Sequence, residues 1–228
     1  MRICVTGTDG IGKTTLINDM ISKWTTYTSP VYSYHEDDDL DIRDGVFTKD
    51  KQQSIMDSIN DTLKQYGKSD NVVFDRGPVD CLVYSLYGNN QGTDCDDAFI
   101  ESMMEQVKNS LRMIDLIFFV PITTASKINL TKNAEEKEAE YVTNEFIVEI
   151  DNIFKSVYNH WNLPETPYVI YDDKPHVLEI FGTPEERMHI AQMYINPQGD
   201  MYGESNILTP DEIDELEELN KKFGFAAK

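Results

Sequence analysis

The stretch that decides the fold is Arg2–Thr15, RICVTGTDGIGKTT, at the start of the sequence. Its first five residues, Arg2–Thr6, predict a short buried strand, and apolar residues recur at helical spacing from Leu16 onward. Between strand and helix lies Gly7–Thr14, which matches the pattern GxxxxGK[ST] in the context that this pattern requires. Glycines let the backbone curl so that several N–H groups point into one concavity at the positive end of a helix. The stretch therefore predicts a phosphate-binding loop after the first strand of an α/β fold.

The residue types in this loop indicate ATP and Mg²⁺ as cofactors. We expect Lys13 to reach the β- and γ-phosphates, and the Thr14 hydroxyl to ligate Mg²⁺. A loop of this kind reports nucleotide binding rather than the reaction, because kinases, motors, switches and transport ATPases share it. The predicted ATP-binding residues are Gly7, Thr8, Asp9, Gly10, Ile11, Gly12, Lys13, Thr14 and Thr15.

Strand-like and helix-like segments alternate along the rest of the chain. Further strands are predicted at Val31–Tyr34, Asn71–Asp75, Asp115–Val120 and Tyr168–Tyr171. Helices are predicted at about 50–66, 78–87, 96–113, 134–161 and 183–194. This alternation favours right-handed βαβ units and a parallel sheet covered on both faces. We therefore predict a three-layer α/β/α sandwich with a five-stranded, mostly parallel sheet and a helical lid.

A second motif, Asn71–Pro78 (NVVFDRGP), places an acid and a guanidinium after the third predicted strand. In an open parallel sheet the carboxyl edge is where ligands bind, so this pair should lie beside the phosphate loop. We expect Asp75 to hold or orient the metal. The planar fork of Arg76 suits a bidentate contact to a phosphate or sugar oxygen of an acceptor. The sequence thus predicts Lys13, Asp75 and Arg76 as catalytic residues, with Thr14 and Asp75 at the metal.

Together, GTDGIGKTT (7–15) and VVFDRGPVDCLVYS (72–85) resemble the thymidylate-kinase-like branch of the P-loop kinases. They are also similar to small nucleoside-kinase-type domains, including some in phage proteins. The resemblance extends from Met1 to about Ile195, and its specific motifs lie in the first 90 residues. It implies an ATP-dependent phosphotransferase whose acceptor is a nucleoside or nucleotide. It also implies that Asp9 approaches the acceptor sugar and that Arg76 grips the acceptor.

The chain departs from this family in one respect. Thymidylate kinases carry a catalytic arginine in the phosphate loop or in a mobile lid, whereas neither Gly7–Thr14 nor the predicted lid, Ile122–Tyr141, contains an arginine. The lid region has Lys127, Lys132 and Lys137, and lysine lacks the guanidinium fork. Two other functions therefore stay open: phosphorylation of 5-hydroxymethyluracil within DNA, as in some phage relatives, and a nucleotide-dependent switch or ATPase without an acceptor.

An acidic run, His35–Asp39 (HEDDD), follows the second predicted strand. Related kinases often place acceptor contacts there, and a carboxylate such as Glu36 could act as base toward a hydroxyl. A solvated acidic loop is the other interpretation. The predicted acceptor-binding residues are Asp9, Glu36 and Arg76.

Three aromatic residues, Tyr84, Tyr87 and Phe99, are candidates for stacking on an acceptor base. They lie in predicted helices, where aromatic residues at helical spacing are typical of a hydrophobic core. Both interpretations stay open at this point.

The composition limits which partners the protein can bind and in which compartment it is expected. The formal net charge is −21, from 41 acidic and 20 basic residues, so any DNA contact should be confined to a local base pocket. No run approaches the roughly 18 apolar residues of a membrane span, and the sequence begins directly with a strand. Three cysteines without metal-ligand spacing are typical of reduced thiols. We predict a cytoplasmic protein, in the host cytoplasm for a viral one.

Two parts are predicted along the chain. Residues 1–195 form the nucleotide-binding domain, and residues 196–228 form a polar linker followed by a C-terminal helix at Thr209–Phe223. The narrow apolar stripe of that helix needs a surface to cover. Packing on its own domain, homodimerisation and recruitment of a partner are the alternatives.

Overall fold

The computed structural model describes residues 1–36, 45–124, 144–161, 163, 174–202 and 222. Within these ranges the strands are β1 (Arg2–Thr6), β2 (Val72–Asp75), β3 (Leu116–Phe119) and β4 (His176–Glu179). The α-helices are α1 (Lys13–Lys23), α2 (Lys49–Leu63), α3 (Pro78–Asn90), α4 (Asp97–Leu111), α5 (Asn144–His160) and α6 (Pro184–Gln192). A 3₁₀ helix occupies Ser33–Glu36.

The four strands form one parallel sheet in the order β2-β1-β3-β4. Val5 pairs with Asp75, and Thr6 pairs with Phe119, so the carboxyl ends of these three strands meet at one edge. The chain leaves β1 for β2 on one side and then crosses to β3 on the other. The carboxyl end of β1 is therefore at the switch in strand order, where open α/β sheets bind their ligands.

Side chains that alternate along the strands hold helices on both faces of the sheet. In β1, Ile3 and Val5 join a buried cluster with residues of α1 and α6, whereas Cys4 joins the cluster formed with α2 to α5. This period of two is the expected consequence of strand geometry. The α/β class and the three-layer sandwich predicted from the sequence are confirmed.

The predicted strand at Val31–Tyr34 is wrong. One parallel bridge joins Thr28 to Val72, and the chain then turns into the 3₁₀ helix. Continuing this ladder would require residue 30 to donate its N–H to β2, and residue 30 is Pro30, which has none. Tyr32 is instead buried against the ring of Phe74, with the ring centroids 6.4 Å apart.

The strand β4, at one edge of the sheet formed by the described residues, was not predicted. Its outer residues, His176 and Glu179, are exposed, so the segment lacks the continuous apolar run of a buried strand. The strand predicted at Tyr168–Tyr171 and most of the predicted lid lie outside the described residues. The predicted helix at 134–161 is confirmed over Asn144–His160.

Residues 196–202 pack beyond the C-terminal end of α1. The Trp24 indole N–H donates to the carbonyl oxygen of Asn196 at 2.9 Å, and the Tyr27 hydroxyl donates to that of Gly199. The predicted helix at Thr209–Phe223 lies outside the described residues except for Lys222, and the division at residue 196 stays a prediction. None of the helices in the described ranges is long and apolar enough to cross a membrane.

Candidate active site

Glycines with positive φ angles shape the loop between β1 and α1. Gly10 and Gly12 have φ angles of 69° and 92°. Gly7 has a φ of 140°, and a Cβ atom placed on it would lie 2.6 Å from the backbone oxygen of Val120, just after β3. Residue 7 must therefore be glycine both for its backbone angle and for the close approach to the neighbouring strand.

Lys13, near the end of the loop, contacts Thr8 near its start. Its side chain is buried, and Nζ donates a hydrogen bond to the carbonyl oxygen of Thr8 at 2.8 Å. Burial, with a contribution from the Arg76 guanidinium, lowers the pKa of Lys13 to about 8. A bound triphosphate would favour the protonated amine, because an opposite charge nearby stabilises the charged form.

Thr14 lies opposite the end of β2. Its hydroxyl donates to Oδ2 of Asp75 at 2.8 Å, and both Thr14 and Thr15 are exposed at the start of α1. Hydroxyl and carboxylate oxygens are hard donors that suit Mg²⁺, which usually takes one or two protein ligands together with substrate phosphates. The described residues contain no group of three or more His, Cys, Asp or Glu side chains able to hold a metal by themselves. The residues present therefore fit a magnesium ion that arrives with ATP.

Arg76 follows β2 in a left-handed backbone conformation, with a φ of 76°. Its N–H donates to the carbonyl oxygen of Val5 at 3.0 Å, and its own carbonyl oxygen accepts from the Tyr32 hydroxyl at 2.9 Å. A non-glycine residue held in this region by its surroundings often marks a functional site.

The Arg76 side chain joins the loop to α3. Its guanidinium forms an ion pair with Asp9, donates to the hydroxyl of Tyr84 at 3.0 Å, and lies 3.5 Å from a carboxylate oxygen of Asp80. The Tyr84 hydroxyl in turn donates to Asp9 at 2.8 Å. The structure thus brings together the two residues, Asp9 and Arg76, that the resemblance assigned to the acceptor.

The two carboxyl groups around Arg76 have opposite pKa shifts. Burial favours the neutral form of both, but Arg76, Lys13 and the Tyr84 hydroxyl bring the pKa of Asp9 below its ordinary value. For Asp80 burial prevails, and its pKa rises to about 6 in spite of Arg76, Lys13 and the Gly77 N–H. Pairs of groups whose environments separate their pKa values in this way are frequent at catalytic sites.

A pocket adjoins this network, and we call it the acceptor pocket after the role that the sequence predicts for Arg76. The space among its lining side chains is about 230 Å³, including open solvent at its mouth, and the part that admits a water-sized sphere is about 10 Å³. Its lining residues are Tyr34, Gln52, Ile55, Ile59, Arg76, Asp80, Cys81 and Tyr84.

Sequence reasoning missed two of these polar residues, Gln52 and Asp80. Asp80 is the third residue of α3 and accepts a hydrogen bond from the Gly77 N–H at 2.9 Å, so an acid two residues after Pro78 at the predicted helix start was a usable signal for a capping position. Gln52 had no such signal, because it lies in a helix whose sequence indicates only an apolar stripe. Tyr84, a candidate for base stacking, has its ring buried in the core while its hydroxyl reaches the site.

Glu36 ends the 3₁₀ helix, and its predicted role at the acceptor stays a prediction. Two residues before it, Tyr34 lines the acceptor pocket. The rest of the acidic run, Asp37–Asp39, lies outside the described residues. Of the other aromatic candidates, Tyr87 is buried against Phe47 and belongs to the core.

Solved structures of two kinases have the same fold. The deoxyadenosine kinase of M. mycoides, with dCMP and dCDP bound, is 15% identical, with a TM-score of 0.61 over 85% of this chain and 98% of that chain. Its structure with dATP bound is 20% identical, with a TM-score of 0.54 over 75% and 90% of the two chains. The thymidylate kinase of Candida albicans is 13% identical, with a TM-score of 0.58 over 84% and 89%. No curated protein matches this chain significantly.

A family model described as an AAA domain matches residues 2–168, well over half of the chain. The matched range contains the phosphate loop, the Asp75–Arg76 pair and the whole acceptor pocket. The chain therefore belongs to this AAA domain family, and its fold is that of the P-loop nucleoside and nucleotide kinases.

Proposed function

We propose that the protein is an ATP-dependent kinase that transfers the γ-phosphate to a nucleoside- or nucleotide-type acceptor. The observation that carries the proposal is the contact of Asp9, a residue of the phosphate loop, with Arg76 and Tyr84 of the acceptor pocket. A phosphate loop alone would serve a switch or a motor equally well. A pocket joined to that loop through polar side chains provides a place for the group that receives the phosphate.

On the donor side, the loop backbone and three side chains have complementary tasks. The Lys13 amine is positioned to neutralise charge on the transferring oxygens. The Thr14 hydroxyl would ligate Mg²⁺, with Asp75 bound to it directly or through water. A metal ion bound there with ATP would neutralise charge on the phosphates.

On the acceptor side, Gln52 supports a base-like ligand. Its side chain is 1% exposed, and its amide nitrogen has no hydrogen-bond partner among the described residues. A buried unpaired donor costs on the order of 1–3 kcal/mol, which a ligand carbonyl or ring nitrogen would recover. Ile55, Ile59 and the ring of Tyr34 give apolar contact surface beside this donor, and the pocket must widen to admit a whole heterocycle. The similar solved structures, a deoxyadenosine kinase and a thymidylate kinase, are consistent with such an acceptor.

Asp9 provides the chemistry at the acceptor atom. Its carboxylate is held in the ionised form, so it accepts hydrogen bonds and can orient an acceptor hydroxyl or take its proton. A phosphate acceptor is already ionised and needs no base. Asp9 as a base therefore has its largest effect if the acceptor is an alcohol, and Arg76 offsets the charge of the carboxylate.

One experiment compares the proposed acceptors. The protein is incubated with γ-labelled ATP and Mg²⁺ and one of four additions: nucleosides, nucleoside monophosphates, duplex DNA containing 5-hydroxymethyluracil, or none. We expect label on a free nucleoside or nucleotide. Label on the DNA would replace this acceptor by a base in a polymer, and phosphate release without any labelled acceptor would indicate a switch or ATPase.

Two adjacent glutamines of α2 give a matched test of the acceptor pocket. Gln52→Leu should raise the acceptor KM by roughly 5- to 100-fold, because it removes the buried donor that faces the ligand. Gln53→Leu removes an amide that contacts Asp57 and Gln106 instead, and should leave the acceptor KM unchanged. Equal effects of the two variants would contradict the assignment of the pocket.

A further inference from the structure

Arg187 of α6 contacts the phosphate loop. Helix α6 packs on one face of the sheet, whereas α2 and α3, which line the acceptor pocket, pack on the other. The start of α6 is fixed by a capping box in which Thr183 and Glu186 exchange hydrogen bonds. From the first turn of this helix, the Arg187 guanidinium donates through Nη1 to the carbonyl oxygen of Ile11 at 2.6 Å. Its Nε donates to the carbonyl oxygen of Gly182 at 3.0 Å. The side chain thus ties two separate backbone segments together.

The Arg187 side chain is buried, and no carboxylate of the described residues pairs with it. The residue is 7% exposed, and none of the ion pairs among the described residues includes it. Burial is the cause that lowers the pKa of its guanidinium, which nevertheless stays protonated at neutral pH. A buried cation without an opposite charge is costly, and an anion bound nearby would offset that cost.

The hydrogen bond to Ile11 fixes the direction of one loop N–H. In a trans peptide the C=O and the following N–H point in opposite directions, so a carbonyl held toward Arg187 turns the Gly12 N–H away from α6. Ile11 lies between two glycines with positive φ angles, Gly10 and Gly12, where rotation of the peptide costs little. A Cβ atom on Gly12 would lie 3.0 Å from Nη1 of Arg187, which shows how closely the guanidinium approaches the loop.

We propose that Arg187 is a positioning residue that holds the Ile11–Gly12 peptide in its phosphate-binding orientation and adds positive charge behind the loop. This inference rests on the proposed function, because it assumes that the loop binds ATP. The loop and the segment 122–141 contain no arginine, so Arg187 supplies from α6 a guanidinium that neither of them provides. It acts through the Ile11 carbonyl, and its effect should appear in ATP binding before any phosphate is transferred.

The test is calorimetric titration of the full chain with ATP-Mg in the absence of acceptor. Arg187→Met should lower the ATP affinity on the order of 10- to 100-fold, because it removes a charged donor and lets the peptide rotate. Arg187→Lys should have an intermediate affinity, since lysine keeps the charge but cannot hold both carbonyls in the same fork geometry. Arg2→Met is the matched control, because Arg2 is also buried but pairs with Asp115 at the opposite end of β1. It should destabilise the fold without changing the ATP affinity.

Each outcome decides the inference. Wild-type affinity in Arg187→Met, or an equal loss in Arg187→Met and Arg2→Met, would overturn it. If Arg187→Met does not fold, the lysine variant decides. A several-fold loss of ATP affinity in Arg187→Lys supports the positioning role of Arg187, and wild-type affinity overturns it. Because no acceptor is present, a wild-type protein that binds ATP but labels none of the proposed acceptors would refute the proposed function while leaving this test intact.

Discussion

In the phosphate loop, the groups that would contact ATP belong to consecutive residues of one short segment, whereas in the acceptor pocket they are side chains from segments far apart in sequence. The loop depends on backbone angles that only glycine adopts easily, such as the φ of 140° at Gly7. The pocket depends on mutual hydrogen bonds among Asp9, Arg76 and Tyr84. Changes in the loop should therefore impair ATP binding or the chemical step, and changes in the pocket should impair acceptor use.

Asp9 belongs to both parts of the site. It belongs to the loop by sequence, yet its hydrogen bonds go to the acceptor side. Because the Asp9 carboxylate is part of the loop and is also bonded to Arg76 and Tyr84, it fixes the distance between the bound ATP and the acceptor. Proximity of this kind can supply several kcal/mol of the reduction in barrier.

The largest effect is expected at Lys13. Lys13→Ala should lower kcat on the order of 100- to 1000-fold, because it removes a preorganised charge from the transferring oxygens. The Lys13 amine donates its hydrogen bond to Thr8 within the loop, so the fold should persist. Steady-state kinetics and the melting temperature measure the two effects. Lys23→Ala, an exposed residue at the other end of α1, is the control, and wild-type turnover in Lys13→Ala would show that the loop assignment is wrong.

The loop could be predicted from sequence because its information is local. Glycines, a lysine and a threonine at fixed spacing determine both its backbone and its position at the start of α1. The Asp75–Arg76 pair was predicted from its position after a buried strand, since the carboxyl ends of parallel strands share one edge.

The rest of the site required the fold. Gln52 and Arg187 reach it from α2 and α6 through packing that no local pattern encodes. The predicted strand at Val31–Tyr34 failed for a local reason, because Pro30 cannot continue the ladder that begins at Thr28. The missed β4 lies at one edge of the described sheet, and its exposed residues weaken the apolar pattern.

A smaller effect on the loop is expected from Gly7→Ala. The φ of 140° is nearly restricted to glycine, and the new Cβ would meet the backbone oxygen of Val120, so the loop must shift. We expect a loss of roughly 2–3 kcal/mol in the free energy of unfolding, together with a clear loss of ATP affinity. Gly92→Ala is the control, since Gly92 has a φ of 75° and a Cβ atom added to it would meet nothing within 4 Å. Gly92→Ala should lower the free energy of unfolding by about 1 kcal/mol and leave ATP binding unchanged. Equal ATP affinities in the two variants would contradict the role of the backbone angle in the loop.

The acceptor pocket should show a pH dependence of stability through Asp80. Its pKa of about 6 lies above the unfolded value of 3.8, so the native state holds the proton more strongly between these pH values. The contribution of Asp80 to stability is therefore present below about pH 4 and is lost as the pH rises through 6. Asp80→Asn does not titrate, so its free energy of unfolding relative to wild type should rise by about 2–3 kcal/mol between pH 4 and pH 7. Urea unfolding without nucleotide measures this difference, and a constant difference across that range would refute the raised pKa.

The smallest effect, and the sharpest test of the division between loop and pocket, is expected from Tyr84→Phe. The substitution removes the hydroxyl that donates to Asp9 and accepts from Arg76, but keeps the ring stacked on Phe47 at 5.9 Å. Loss of these bonds should raise the acceptor KM by about 5- to 10-fold, with the ATP KM unchanged. Tyr27→Phe removes a buried hydroxyl that donates to Gly199, beyond the far end of α1, and should change stability without changing either KM. If Tyr84→Phe raised the ATP KM instead, Asp9 and its partners would act on ATP and not on the acceptor. Asp9 would then have to be assigned to the phosphate loop by function as well as by sequence.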